Sequence, residues 1–222
     1  MAVQSASAQI IRAKLSYLRA KRFFDITFIL LIAPAILLVG AIISVLILLD
    51  SPGPILFRQK RIGQNGVEFE MLKFRSMRVD TNDALHREAI KLYMNGKKLN
   101  DDSENPYKIT NDPRITRVGH LIRKTSLDEL PQFWNVLRGQ MTLVGPRPPL
   151  PYEVEHYTTH EWLRLSGIPG LTGPWQVYGR SKVSFQEMIE IDITYLQRQS
   201  LWEDLKLVIL TIPVMLFKRG AA

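Results

Sequence analysis

The dominant feature of the hydrophobic pattern is Ile26 to Leu49, 24 residues without a charge. A helix of that length crosses a hydrocarbon core of ~30 Å, so a single span is the first expectation. Two details point elsewhere. Pro34 lies inside the run, where it deletes a backbone hydrogen bond and bends a helix. Both flanks are basic, with Lys21 and Arg22 before the run and Arg58, Lys60 and Arg61 after it. One crossing would put one of those clusters on the outer side. A helix–break–helix over residues 21–54 that enters and leaves by the cytoplasmic face satisfies both details. Asp50-Ser51-Pro52-Gly53-Pro54 ends it abruptly. Asp25, at its start, calls for a basic neighbour that the pattern alone does not name.

Upstream, residues 1–20 pair Ile10, Ile11, Leu15 and Leu18 with basic residues at helical spacing, the signature of an amphipathic segment lying on a membrane. No small-residue cleavage site follows the apolar run, so a signal peptide is not expected. Downstream, Ile55 to Arg61 and Val67 to Arg75 flank Gly63-Gln64-Asn65-Gly66, which predicts a β-hairpin. Residues 79–111 are polar, with a short helical pattern near Ala84–Tyr93. A helix follows Asp128 and stops at Gly139. Met141–Val144 reads as a short strand, Glu153–Leu165 and Phe185–Gln199 as helices, and Gly167–Arg180 as a glycine- and proline-rich loop broken by a short apolar piece. Leu201–Phe217 is strongly apolar but carries Glu203, Asp204, Lys206 and Pro213, which favours an interfacial helix ended by Lys218-Arg219 over a second crossing. The expected architecture is α+β and mostly helical: a re-entrant membrane helix hairpin, then a compact cytosolic domain over 55–222 with a small β-hairpin and interfacial amphipathic helices.

Charge narrows the partners. A net charge of +8 and a pI near 9.8 call for an anion, either nucleic acid or an acidic membrane surface. The apolar run favours the membrane, and no nucleic-acid-binding motif is present. Without cysteine there are no disulfides or thiolate metal sites, and the four histidines lack metal-ligand spacing. The glycine-rich loop has neither GxGxxG nor GxxxxGK order, so no Rossmann or P-loop nucleotide site is expected.

Candidate chemistry gathers in Thr125-Ser126-Leu127-Asp128-Glu129-Leu130-Pro131-Gln132, just after the cations Arg117, Arg123 and Lys124. Ser126-x-x-Glu129 fits a capping box. An aspartate in the first turn of a helix is also held ionised where phosphate is attracted, which suits Asp128 to attack phosphorus. The two readings are compatible. Lys73 and Arg75, two apart on a strand, share a face that is either a solvated basic edge or a two-cation anion site. Arg147, between Pro146 and Pro148, is either an exposed residue of a connector or a guanidinium held stiffly for a phosphate.

Taken together these segments resemble the bacterial sugar transferases, the monotopic polyprenyl-phosphate phosphoglycosyl transferases, in their small form without extra N-terminal transmembrane helices. The resemblance runs from about Lys21 to Lys218. It rests on Lys21-Arg22-Phe23-Phe24-Asp25, Ser51-Pro52-Gly53-Pro54, Phe57-Arg58-Gln59-Lys60-Arg61, Lys73-Phe74-Arg75-Ser76-Met77, Asp112-Pro113-Arg114-Ile115-Thr116, Leu121 to Gln132, Val144-Gly145-Pro146-Arg147-Pro148 and Pro169-Gly170-Leu171-Thr172-Gly173. The resemblance implies transfer of a sugar-1-phosphate from a UDP-sugar to undecaprenyl phosphate, with release of UMP, Mg²⁺ as cofactor, and a place on the cytoplasmic face of the bacterial inner membrane, in one leaflet. It implies Asp128 as nucleophile of a ping-pong reaction with a covalent phosphosugar intermediate. Glu129 completes the dyad, which holds the metal through Asp128 with or without Glu129, and Lys73, Arg75, Arg123 and Arg147 line the phosphate and nucleotide site. The hairpin break falls at Ala33-Pro34, where the family's serine is replaced by alanine. A non-catalytic membrane scaffold of the same fold is the competing reading; the donor sugar, the pathway and a homodimer are left open.

Overall fold

The structure, a computed structural model, describes residues 15–78, 84–96, 112–179 and 183–216. The segment before Leu15, the polar loop over 97–111 and the closing Lys218-Arg219 lie outside them. Helix α1, Leu15–Asp50, runs 36 residues without interruption and carries Pro34 inside it. Two helices separated by a break at Ala33-Pro34 are not seen; one helical element runs through that point. Proline costs a helix interior ~3 kcal/mol, yet the helical element continues through it. Burial along α1 is confined to two stretches, Lys21, Asp25 and Ile29 near its start and Ile43 and Ile47 near its end. No residue from 30 to 42 is buried, and Leu31 (79% exposed) and Leu37 (72%) stand clear of the protein. Both ends of α1 therefore dock on one body while its middle does not.

That body starts with the predicted hairpin. Strands β1, Leu56–Ile62, and β2, Glu68–Phe74, pair antiparallel from Leu56 opposite Phe74 to Ile62 opposite Glu68. Their turn uses Asn65 (φ +56) and Gly66 (φ +81), the left-handed pair that an Asn-Gly sequence supplies most readily. Helix α2, Ala84–Met94, buries Ala89, Ile90 and Tyr93. Helix α3, Arg117–Lys124, is capped by Thr116, whose hydroxyl accepts from Gly119 N at 3.0 Å. After a 3₁₀ turn at Leu127–Glu129 comes α4, Gln132–Leu137, stopped at Gly139 with φ +76.

Strand β3, Thr142–Val144, lies parallel to β4, Gly170–Thr172, inside the glycine-rich loop. The helix expected over Glu153–Leu165 is instead a short α5, Pro151–Val154, and a separate 3₁₀ turn, Glu161–Ser166. Thr158 and Glu161 exchange side-chain-to-backbone hydrogen bonds, Thr158 N to Glu161 Oε2 at 2.6 Å and Glu161 N to Thr158 Oγ1 at 3.4 Å, and so restart the chain. Helix α6, Phe185–Arg198, opens with a complete Ser184–Glu187 capping box. Helix α7, Leu201–Leu216, contains Pro213 and turns Asp204 and Leu207 inward, leaving Trp202, Ile209 and Ile212 exposed.

Three apolar clusters hold these parts. Ile29 of α1 joins Phe69, Met71, Val136, Met141, Leu143 and Leu207. Phe185, Met188, Ile189 and Ile193 of α6 pack with Tyr93, Tyr157 and Trp175. Ile43 and Ile47 of α1 join Phe74 and Ile122, with Leu127 and Leu130 against them. This last cluster sets the candidate site beside the end of the apolar helix.

Candidate active site

Leu127 and Leu130 face the Ile43–Ile47–Phe74–Ile122 cluster, and the two residues between them, Asp128 and Glu129, are left partly exposed on the outer side of the turn. The capping box expected at Ser126 does not form. Ser126 adopts φ +57, its hydroxyl does not cap the turn, and the helix proper begins only at Gln132. Three tight elements meet within a few residues here, and the reversal between α3 and the 3₁₀ turn takes a left-handed residue rather than an extended cap. Asp128 thus sits on a short turn between two helices, not in the first turn of one.

Strand β2 comes up to this turn. Lys73 Nζ lies 3.1 Å from Glu129 Oε1, a half-exposed ion pair that puts a cation beside the dyad. Asn135 fastens α4 to the same strand: it accepts from Leu72 N at 3.0 Å and donates to Glu70 O at 2.7 Å. Cross-strand from Lys73 lies Phe57, and two and four residues along the same face of β1 lie Gln59 and Arg61.

Arg75 does not share this face. Strand β2 ends at Phe74, so alternation no longer holds for the next residue, and the buried Arg75 guanidinium donates to Ser51 O (2.6 Å), Ser51 Oγ (3.0 Å) and Pro52 O (2.9 Å) at the end of α1. It ties down the Ser51-Pro52 turn just past the end of the helix. On the other side of the same junction, Asp50 accepts from Val118 N at 3.0 Å at the start of α3. Arg123, half-buried on α3, lies within electrostatic reach of Asp112, whose carboxyl is held below the usual carboxylate range first by the hydrogen bonds from Arg114.

Arg147 sits on a loop pressed against β4. Gly145 is required there: a Cβ would lie 2.4 Å from Ile168 O and 2.9 Å from Gly170 N. Arg147 acts electrostatically on Arg61, as do Glu153 and Glu129, so the loop and the dyad share one neighbourhood. Burial first, then the Arg147 charge, lowers the Arg61 guanidinium to about 10. Of the residues expected to line the site, the structure brings Lys73 to Glu129, relates Arg147 to Glu129 through Arg61, and turns Arg75 toward α1. Sequence reasoning missed Gln59, Arg61, Asn135 and Arg164; the Phe57–Arg61 run was visible as a motif, but the direction of its side chains follows only from the strand register.

Among the described residues no three His, Cys, Asp or Glu side chains cluster as a metal site. The dyad is therefore a two-carboxylate donor set. Hard carboxylate oxygens, completed by phosphate oxygens and water, are what magnesium takes, so Asp128 and Glu129 fit that ion and fit no metal that needs a full protein cage.

A sequence that places adjacent acids beside a strand lysine and docks both on a long apolar helix matches a known pattern over nearly its whole length. Residues 16–218 match the model described as "Bacterial sugar transferase". The chain belongs to this family. It is 42% identical over 211 residues to the "Galactosyl transferase CpsE" of Streptococcus agalactiae serotype III, covering 94% of this chain and 44% of that protein. It is 39% identical over 210 residues to the "Exopolysaccharide production protein ExoY" of Rhizobium meliloti, covering 91% and 88%. It is 37% identical over 206 residues to the "Undecaprenyl-phosphate galactose phosphotransferase" of Salmonella typhimurium, covering 91% and 42%. The chain thus spans less than half the length of the Streptococcus and Salmonella relatives.

Proposed function

We propose that the protein transfers a hexose-1-phosphate from a UDP-sugar to undecaprenyl phosphate, releasing UMP, as an opening step of exopolysaccharide or related glycoconjugate synthesis. The observation that carries this is the Asp128–Glu129 dyad with Lys73 on Glu129, set in a chain matched to the family over residues 16–218. The names of the Salmonella and Rhizobium relatives support the acceptor and the pathway class.

An Asp128 carboxylate oxygen attacks the phosphorus that bears the sugar; the bond to the bridging oxygen breaks, and UMP leaves with that electron pair. An oxygen of undecaprenyl phosphate then attacks the same phosphorus and returns the carboxylate. Splitting the transfer in two lets two bulky anions use one site in turn. Lys73 offsets the negative charge of the dyad as the anionic donor approaches, and Arg147 supplies a guanidinium held on a stiff loop for phosphate oxygens. Asp128, with Glu129, would hold magnesium, which when bound screens the diphosphate and draws charge from its oxygens.

The middle of α1, exposed and apolar, and the outer face of α7 with Trp202, Ile209 and Ile212 lie in the membrane in this reading. Both ends of α1 dock on the one body, which supports re-entry from the cytoplasmic face into one leaflet. The dyad beside the Ile43–Ile47 end then meets the lipid phosphate at headgroup height.

The test is UMP release from UDP-galactose and UDP-glucose by purified protein with Mg²⁺, first without and then with undecaprenyl phosphate. A burst of UMP before acceptor is added, and its loss by about 10³-fold or more in Asp128→Asn, are the expected results. Full turnover in Asp128→Asn would remove the nucleophile.

A further inference from the structure

The loop carrying Arg147 is held by its oxygens. Pro146, Pro148 and Pro149 have no N–H to give, so their peptide groups can be anchored only as acceptors. Four successive carbonyls are bonded. Gly170 N donates to Pro146 O at 2.9 Å, Arg164 Nη2 to Arg147 O at 2.9 Å, Arg61 Nη1 to Pro148 O at 2.9 Å, and Ile62 N to Pro149 O at 3.0 Å. Two of the four donors are guanidinium groups, almost wholly buried, Arg164 at 2% exposure and Arg61 at 3%.

The two arginines differ in their counter-charge. Arg164 Nε meets Asp192 Oδ2 at 2.7 Å, an ion pair buried on both sides. Arg61 bonds Gln59 Oε1 through Nε (3.2 Å) and Nη2 (2.8 Å), and otherwise the Pro148 oxygen. Every one of those acceptors is neutral, and among the described residues no carboxylate makes an ion pair with it. A charge taken out of water without a partner is expensive, and most proteins pair it or discard it. With a pKa near 10 the group stays protonated at neutral pH, so the cost is carried by a real charge. Arg147 is the neighbour that repels it most, and Glu153 and Glu129 attract it only from a distance.

We propose that Arg61 is a positioning residue of the phosphotransfer site, fixing the Arg147 loop through Pro148 and leaving behind that loop a positive charge which the donor's diphosphate neutralises. The inference rests on the function proposed above and adds to it the residue that sets affinity for the anionic part of the nucleotide. Arg61 touches no reacting atom; it acts through Arg147 and through its field. Loop clamping alone does not call for an unpaired charge, since the backbone N–H of Ile62 and the compensated Arg164 do the same work on the neighbouring carbonyls.

Charge and clamp separate in two variants. Arg61→Gln keeps a donor without charge; Arg61→Lys keeps the charge without the planar fork. UMP and neutral uridine are titrated into the purified full chain and both variants by calorimetry, with circular-dichroism melting alongside. Arg61→Gln is expected to raise the Kd of UMP roughly tenfold and that of uridine less than about twofold, the size of effect of one elementary charge close to a phosphate in a half-buried site. Arg61→Lys is expected to hold the ratio of the two affinities within about threefold of wild type even where melting falls. An unchanged UMP affinity in Arg61→Gln, an equal weakening of UMP and uridine, or a ratio that collapses in Arg61→Lys overturns the assignment. Should Arg61→Gln not fold, Gln59→Glu decides instead: a carboxylate on the Arg61 fork is expected to lower the UMP-to-uridine affinity ratio several-fold, and an unchanged ratio overturns the assignment. Wild-type protein that neither binds UMP nor releases it from a UDP-sugar removes the transferase reading as well; wild-type binding with an indifferent Arg61→Gln removes only this one.

Discussion

Replacing Lys21 by methionine is the sharpest test of how the apolar helix is joined to the body. Lys21 Nζ lies 2.6 Å from Asp204 Oδ2, and the two side chains are 7% and 1% exposed. Asp204 also accepts from Tyr17 OH at 2.8 Å and Tyr195 OH at 2.5 Å. Burial and the Asp204 charge raise the Tyr195 hydroxyl well above its ordinary range, so it remains a donor at every accessible pH. In Lys21→Met both hydroxyls survive, but the buried carboxylate loses the one cation paired with it among the described residues. Breaking a buried pair from one side costs ~3–5 kcal/mol, whereas removing both charges for apolar groups of similar size is close to neutral. At ~2–4 °C per kcal/mol for a chain of this size, the single variant should melt roughly 6–20 °C lower. The assay is circular-dichroism melting in detergent micelles at one scan rate, for Lys21→Met, Asp204→Leu and the double variant. The double variant should fall by less than the two singles summed, with a remaining loss because Tyr17 and Tyr195 no longer have the Asp204 acceptor. A drop under about 2 °C in Lys21→Met, or a double variant as damaged as the two singles summed, would show that this ion pair does not hold the helix to the body.

Two further expectations follow from the junctions around the dyad. Arg75→Met should cost about 2–4 kcal/mol, because three charge-assisted hydrogen bonds to the Ser51-Pro52 turn are lost at a buried site, while the KM for UDP-sugar moves less than the melting temperature does. A large KM increase at unchanged melting would return Arg75 to the phosphate site. Asp112 has a lowered carboxyl pKa, so its pairing with Arg114 contributes fully above the ordinary carboxylate value and is lost as pH falls through the lower native one. Acid unfolding followed by tryptophan fluorescence should therefore begin at higher pH in Arg114→Gln than in wild type, and identical acid limbs would contradict it.

The elements legible in advance are those decided within a few residues of chain. The hairpin follows from alternation around Asn65-Gly66, α6 from apolar spacing, and the end of α4 from Gly139, because turn chemistry and helix periodicity are local. The long uncharged run and the pairing of Asp128 with Glu129 were equally visible. Side-chain destinations were not. Alternation places Arg75 with Lys73, yet the strand stops between them and the guanidinium ties down the turn that follows α1. Ser126 and Glu129 had the spacing of a cap, but the reversal between α3 and α4 needs a left-handed residue there.

What tertiary structure alone decided is which oxygen each cation meets. Lys21 and Asp204 are 183 positions apart, Arg61 and the Pro148 carbonyl 87, and Arg75 and Ser51 24. A backbone carbonyl has no residue-type signature, and a carboxylate so far along the chain is one of many. A long apolar helical run, a β-hairpin, a carboxylate dyad and an excess of cations follow from local pattern and composition. Packing determined which cations close helix ends, which face one another in pairs, and that Arg61 is left buried with neutral partners beside the Arg147 loop.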